Sequence, residues 1–443
     1  MDINNLQARL DDFDYYRITK TKTDIKIVGA VNKEVKYLKE DSIHGISILG
    51  IKKNKSAFVS TNDLSEKNIS STIQKLKKLS KIGEKVDYLD LIDTTTEKAK
   101  IKTGKESKFD FEEVIPKIIK NSDKEKCSVN DLFYKEQRKY KNIITNYKNI
   151  ELNSIYSLLL NDITVNEKNK MRHCHNCCGE QDNIDEKIET ITEFVTNNKN
   201  KANQMLNYKS GLRGTYDVII DSELSHLLAH EAIGHACEAD LVYNKESNLK
   251  LGQKLSDYNL NVIDDPTIEN SFGFVKYDDE GTKAKKRNLI QNGIVNEFLT
   301  DIKHAKKLNI PLNGAARAEA YNRLPIPRMS NTGLEKGDIS LQELKADLKN
   351  GLILSGGSGG QVDPSTGTFQ FGVKKATLFK DGKEENYANL SFSGNINKDL
   401  FKIDGISKES IYSSEFAGHC GKSGQSVPVC GFGPYVKFKN MRF

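Results

Sequence analysis

Two histidines flank a glutamate within six residues, His230-Glu231-Ala232-Ile233-Gly234-His235. This stretch constrains the fold more than any other, because side chains that must meet one ion dictate the backbone beneath them. Neutral imidazole ligates zinc well, and a glutamate beside the ion can take a proton from water. The grouping therefore suits a hydrolytic metal site. Its flanks predict a helix. Residues 215–220 (TYDVII) read as a short β-branched strand, Asp221 or Ser222 can cap the helix after it, and Glu223 sits in the first turn. The spacing is irregular. Zinc proteases commonly place the two histidines at i and i+4. Here they stand at i and i+5, about 140° apart at about 3.6 residues per turn. Either His226 and His230, at i and i+4, form the pair, or the helix departs from regular geometry so that His230 and His235 converge. A one-residue π-bulge would achieve the second, and Gly234, a poor helix former, sits where it is needed.

A catalytic zinc takes three protein ligands and keeps one open position. Candidates for the third are Cys237, Glu238, His226 and Cys420. Cys237 lies about 200° around an ideal helix from His235 and should point elsewhere. Glu231 is the candidate general base. A second grouping, His173-Cys174-His175-Asn176-Cys177-Cys178, contains a CxxC but no matching second half. It falls in a strand-like segment, where successive side chains point to opposite faces, and reads as incidental.

The stretch HEAIGHACEAD resembles the HEAxGHxxExD signature of the TldD half of the TldD/PmbA (TldE) metalloprotease family. Further matches occur in the family's order: Asp279-Glu280-Gly281-Thr282, the run 313–332 (NGAARAEAYNRLPIPRMSNT), Gly359-Gly360-Gln361-Val362-Asp363, and 420–429 (CGKSGQSVPV). Together they span most of residues 208–436, whereas the first 200 residues match only in general pattern. The resemblance implies a zinc (Zn2+) peptidase acting on unfolded or extended peptides. It implies His230, His235 and Cys420 as metal ligands, with Glu231 as the base. Glu238 and Asp240 fall in the signature and would orient the imidazoles. Arg317, Tyr321, Gly360 and Gln361 become candidates for substrate contact, with an ion-paired loop that shapes the cleft as the alternative for Arg317, Glu319, Tyr321 and Arg328. A homologous TldE/PmbA-like subunit lacking the metal motif is the implied partner. The competing reading is a non-catalytic assembly or peptide-binding subunit. His419 before Cys420, and Cys430 in place of a usual glycine, depart from the family pattern.

A chain of 443 residues suggests two domains. The expected class is α+β. Residues 1–207 would form an N-terminal α/β domain, an antiparallel sheet with covering helices, and 208–443 a β-rich domain carrying the metal-binding helix. Strands are expected at 24–31, 34–39, 44–51, 56–60, 141–148 and 152–165. Helices are expected at 2–13, 65–81, 109–121, 129–140 and 184–206, with 95–108 as a linker. In the second half, strands are expected at 273–277, 287–291, 295–299, 369–373, 375–380 and 388–393, and a helix at 341–350 capped by Ser340. The SGGSGG run at 355–360 reads as a glycine-rich turn. The net charge of +6 arises from 67 basic and 61 acidic residues of interspersed sign, which predicts a solvated surface and not a nucleic-acid footprint. No apolar run approaches the roughly 20 residues of a membrane helix. The polar, acidic N-terminal stretch and the seven cysteines point to reduced thiols in the cytoplasm.

Overall fold

The structure is a computed structural model and describes residues 3–32, 34–104, 111–121, 129–167, 170–181, 188–380 and 382–443. It is an α+β protein built on two large sheets. The first contains β1 (Tyr15–Val31), β2 (Glu34–Lys52), β3 (Lys55–Thr61), β4 (Glu84–Lys85), β5 (Glu97–Thr103), β6 (Val129–Thr145), β7 (Lys148–Glu167) and β8 (Lys170–Glu180), in the order β4-β3-β2-β1-β6-β7-β5. The far edge of β7 is shared. Residues 148–154 pair in parallel with β5, and residues 157–167 pair antiparallel with β8.

Alternation gives this sheet two unlike faces. Ile18, Ile46 and Ile48 meet Ile69, Ile73 and Leu76 of α2 (Glu66–Leu79), beneath α1 (Ile3–Ala8). Val28, Leu132 and Leu159 meet Ile115 and Ile118 of α3 (Phe111–Asn121) and Val195 of α4 (Ile188–Met205). The other face turns toward the second half of the chain: Leu158 packs on Phe272 and Ala417, and Ile143 and Ile150 pack on Tyr277.

The second sheet starts with β9 (Thr215–Ile220) and adds β10 (Val262–Asp264), β11 (Arg287–Gln291) and β12 (Ile294–Val295). After a separate ribbon of β13 (Ala316–Arg317) with β14 (Ile326–Pro327) come β15 (Asn331–Leu334), β16 (Gly351–Asp363), β17 (Thr368–Lys380), β18 (Lys383–Tyr387), β19 (Leu390–Asn395), β20 (Ile403–Tyr412), β21 (Gly418–Lys422) and β22 (Gln425–Arg442). The organising strand is β22. Its start pairs with β21, its middle runs parallel to β15, and its end pairs with β9. One strand therefore ties the hairpin of Cys420 to the strand that launches the helix of His230. That helix lies close on β22: a Cβ at Gly431 would come within 1.9 Å of His226 Nδ1.

Several expectations need correction. Residues 129–140 are not a helix but the first part of β6. Residues 97–103, expected in a linker, form β5, while 105–108 lie outside the described residues. The expected helices at 109–121 and 184–206 are seen from Phe111 and from Ile188, and residues 109–110 and 184–187 lie outside the described residues. Residues 34–39 and 44–51 belong to one long strand, as do 369–373 and 375–380. Residues 273–277 form no strand beyond an isolated bridge at Tyr277, and 295–299 are strand only at Val295, with an isolated bridge at Leu299. The glycine-rich run 355–360 is not a turn. It continues β16, with its irregularity confined to a bulge between Gly357 and Gly360. Glycines weaken a strand without ending it, and a bulge absorbs the extra residue. Among the described residues, no helix is long and apolar enough to cross a membrane.

Candidate metal centre

The polypeptide leaves β9 through Asp221, whose carboxylate caps α5 (Ser222–Leu227) by accepting the Leu224 N–H. From Leu228 to Gly234 the helix widens to π geometry, and the His235 N–H donates to the His230 carbonyl. The wider turn brings residues five apart onto one side. His230 and His235 consequently face each other edge to face, with ring centroids 5.5 Å apart. Gly234 has ordinary helical dihedrals, and its lack of a side chain leaves room for Met329, whose sulfur would lie 2.1 Å from a Cβ there and would have to shift.

Cys420 arrives from β21. Its sulfur lies 3.3 Å from His235 Nε2. Donor atoms of His230, His235 and Cys420 all lie within 4.8 Å of one another. Cys420 and His230 are almost fully buried, 5% and 4% exposed. Burial alone would raise the Cys420 thiol, but His230 and His235 beside it bring it down to about 5. Two imidazole nitrogens and a thiolate-prone sulfur form a donor set that zinc accepts, and three protein donors leave room for an open position. The residues therefore fit a metal ion.

The surroundings fix these donors. His235 Nδ1 lies 2.8 Å from the fully buried Glu238 carboxylate, which leaves Nε2 directed at the cluster. Lys422 bridges Glu238, at 3.2 Å, and Asp240, at 2.9 Å, and donates to the Pro327 carbonyl. Arg328, fully buried, donates to the carbonyls of Cys420 and Gln425 and so anchors the β21–β22 hairpin. Glu231 is more open, with 35% of its side chain exposed, and its carboxylate stands 3.9 Å from His235 Nε2.

His226 takes no part in this convergence. It stacks on Phe416 at 5.4 Å, and its Nδ1 lies 3.1 Å from the Thr332 carbonyl. Burial, with His230 beside it, pushes its pKa down to about 3. The four candidate substrate contacts are scattered. Arg317 grips the Met329 and Pro428 carbonyls and lines a cavity beside the hairpin. Tyr321 lies over Gly45 of β2, leaving no room for a Cβ there. Gly360 and Gln361 sit on the exposed part of β16, where Gln361 lines a separate depression with Asp363 and Lys402. In the HCHNCC run, His173 and His175 both point at Asp162, at 3.0 and 2.9 Å, while Cys174 is buried on the opposite face. Sequence reasoning assigned no role to Lys422 or Met329. The lysine stands inside the quoted CGKSGQS stretch, but its two acidic partners lie 182 and 184 residues away.

Fold and site together define a two-sheet α+β protein with a candidate His/His/Cys metal centre on a π-distorted helix. The family model described as PmbA/TldA metallopeptidase C-terminal domain matches residues 213–443. A metalloprotease of Methanocaldococcus jannaschii is 32% identical over 461 residues, covering 99% of this chain and 98% of its own length. A Saccharolobus solfataricus protein named zinc metalloprotease TldD homolog is 35% identical over 254 residues, 57% of this chain and 56% of its own. In fold, the crystal structure of TldE from Thermococcus kodakarensis aligns over 99% of both chains with a TM-score of 0.77 at 17% identity. The chain belongs to the PmbA/TldD metallopeptidase family.

Proposed function

We propose that this chain is a zinc peptidase that cleaves unfolded or extended peptides in the cytoplasm, and that it works with a homologous TldE/PmbA-like subunit. The observation that carries this reading is the convergence of His230, His235 and Cys420 with Glu231 at the open side. Zinc held there supplies Lewis acidity and lowers the pKa of water from 15.7 to about 7. The chain's own groups do the rest. Glu231 takes the proton from the attacking water and delivers it to the leaving amine. Glu238 holds His235 in the tautomer that presents Nε2, and Lys422 holds Glu238 and Asp240 in place. Of the candidate substrate contacts, Arg317 keeps that role because it faces a cavity. Tyr321 lines a smaller cavity that shares Lys139, Lys141 and Asp279 with this one and stays a candidate contact, whereas Gly360 and Gln361 lie elsewhere and drop out of the reading. The partner proposal draws on the fold shared with a protein named TldE.

Metal analysis and peptide hydrolysis, with and without the candidate partner, test the proposal. Glu231→Gln should keep zinc and thermal stability while losing roughly 10²–10⁴-fold in hydrolysis. Cys420→Ser should lose zinc. Undiminished hydrolysis by Glu231→Gln would sink the assignment.

A further inference from the structure

A cavity of about 130 Å³ lies between the two sheets, apart from the metal donors. One wall is β6, where alternation sets Lys135, Gln137, Lys139 and Lys141 on the face turned away from the helices. Arg317, Asp279 and Glu319 line the opposite wall, and His419 closes one end. The charges do not balance. Lys141 is paired with Asp279, which also accepts the Ala318 N–H at 2.7 Å. Asp278 is driven toward its neutral form by burial and by Glu280 beside it. The Lys139 ammonium reaches the backbone carbonyl of Glu319 at 3.1 Å, and neither Lys135 nor Lys139 forms an ion pair among the described residues. Lys135 and Lys139 thus face a small space together with Arg317, which is held by backbone carbonyls, and Lys276 at the exposed rim, while Glu319 is an acidic lining residue without an ion pair among the described residues. Partly buried cations without a carboxylate partner are costly, and a ligand carboxylate would offset that cost.

We propose that this cavity binds a carboxylate of the peptide substrate through Lys135 and Lys139. The inference rests on the peptidase reading above. The volume suits one side chain or one terminal residue and is well below the roughly 300–1,000 Å³ of a typical cofactor pocket. Tyr156 and Leu152 offer apolar surface beside the two ammonium groups. The location serves the same substrate. The β21–β22 hairpin that carries Cys420 to the metal donors also presents His419 and Pro428 to the cavity. The carboxylate could be a peptide C-terminus or an acidic side chain, and the chemistry of recognition is the same.

The test is direct binding to the full chain carrying Glu231→Gln, a substitution that removes the proposed base so that peptide is bound without being cleaved. Four fluorescently labelled unstructured peptides are compared: one with a free C-terminus, its amide, the amide carrying one glutamate, and that peptide with glutamine instead. At least one carboxylate peptide should bind about tenfold more tightly than its neutral twin, as charge-assisted hydrogen bonds do. The twin that responds identifies the terminus or the side chain as the source. Adding Lys139→Gln or Lys135→Gln should bring that ratio toward one, with the melting temperature confirming that each variant is folded. Equal binding of both pairs of twins, or a preference that survives in both variants, would overturn the proposal. Hydrolysis of the neutral amide by the chain with Glu231 intact judges the metal-centre reading separately.

Discussion

Charge is buried in two different ways on the two sides of the cleft. In the second sheet, Asp264 and Arg287 are both essentially inaccessible and paired with each other, and of the guanidinium only Nε lacks a hydrogen-bond partner. Asp264 accepts from the Ser330 N–H and hydroxyl and the Thr332 hydroxyl at 2.7–2.8 Å, and Arg287 pairs with it while donating to the Asn313 and Gly314 carbonyls. On the β6 wall, by contrast, Lys135 and Lys139 face the cavity without a carboxylate in contact. The first arrangement fixes the core beneath the metal helix. The second leaves binding capacity unspent. Buried charge paired with its opposite is architecture, and half-buried charge without a carboxylate partner leaves a place for a ligand.

The largest expected effect breaks the satisfied side. Arg287→Met leaves Asp264 charged and unpaired in the core, and chemical denaturation should register a loss of about 3–5 kcal/mol. A loss below about 1 kcal/mol would mean that the serine and threonine donors alone hold the carboxylate, and the contrast between the two regions would shrink. An intermediate effect is expected at Glu238, which combines both kinds: it is fully buried, it is paired with His235 and Lys422, and it serves a site. Glu238→Gln should lower zinc affinity roughly 10–100-fold in chelator competition with little change in fold. Unchanged affinity would show that His235 is oriented by something other than this carboxylate.

The same contrast explains what is legible in the sequence. The β9 strand and the Ser340 cap can be read there, because each depends on residues within a few positions of one another, whereas local residues narrow the helix cap only to Asp221 or Ser222 and leave a regular 226/230 pair open beside the π-distorted 230/235 pair that the family resemblance favours. The β3 strand and α2 are legible because one face of each is apolar and the period is clear, whereas β1 is read only from residue 24 and β2 is read as two strands because its residues 34–44 are exposed on both faces. The segment that misleads is β6, whose residues 129–140 read as a helix. Its even positions Leu132 and Tyr134 pack under helices, but its odd positions 135, 137, 139 and 141 are polar because they line the cavity. A strand with lysines where a core face would carry valines loses its alternation signal. Sequence patterning fails where the surface is built for binding. The positions of Tyr321 and Gln361 are hidden for a different reason. Motif membership carries no information about which sheet face a side chain reaches, and only the assembled sheets decide that.

The smallest effect tests the unsatisfied side. Lys139 is lowered to about 7, by burial first and then by the neighbouring Lys141 and Arg317. An ordinary lysine titrates near 10.4. Below pH 7 the lysine is charged in both the folded and the unfolded chain, so the full cost of enclosing the cation weighs on the fold. Between about pH 7 and 10 the folded chain gives up the proton while the unfolded chain keeps it, and stability contributed by this site rises with pH. Above about pH 10 both forms are neutral and the cost is gone. Lys139→Gln should therefore stabilise the free chain at pH 6–7, by on the order of 1 kcal/mol after solvent screening, and the gain should fade as pH approaches 10. Arg287→Met should show no such recovery, because the effect there is the loss of a pairing partner for Asp264. Parallel denaturation curves at about pH 6.5 and 10 measure both. If Lys139→Gln destabilises the chain equally at the two pH values, Lys139 is a structural cation like Arg287, and the two regions bury charge in the same way after all.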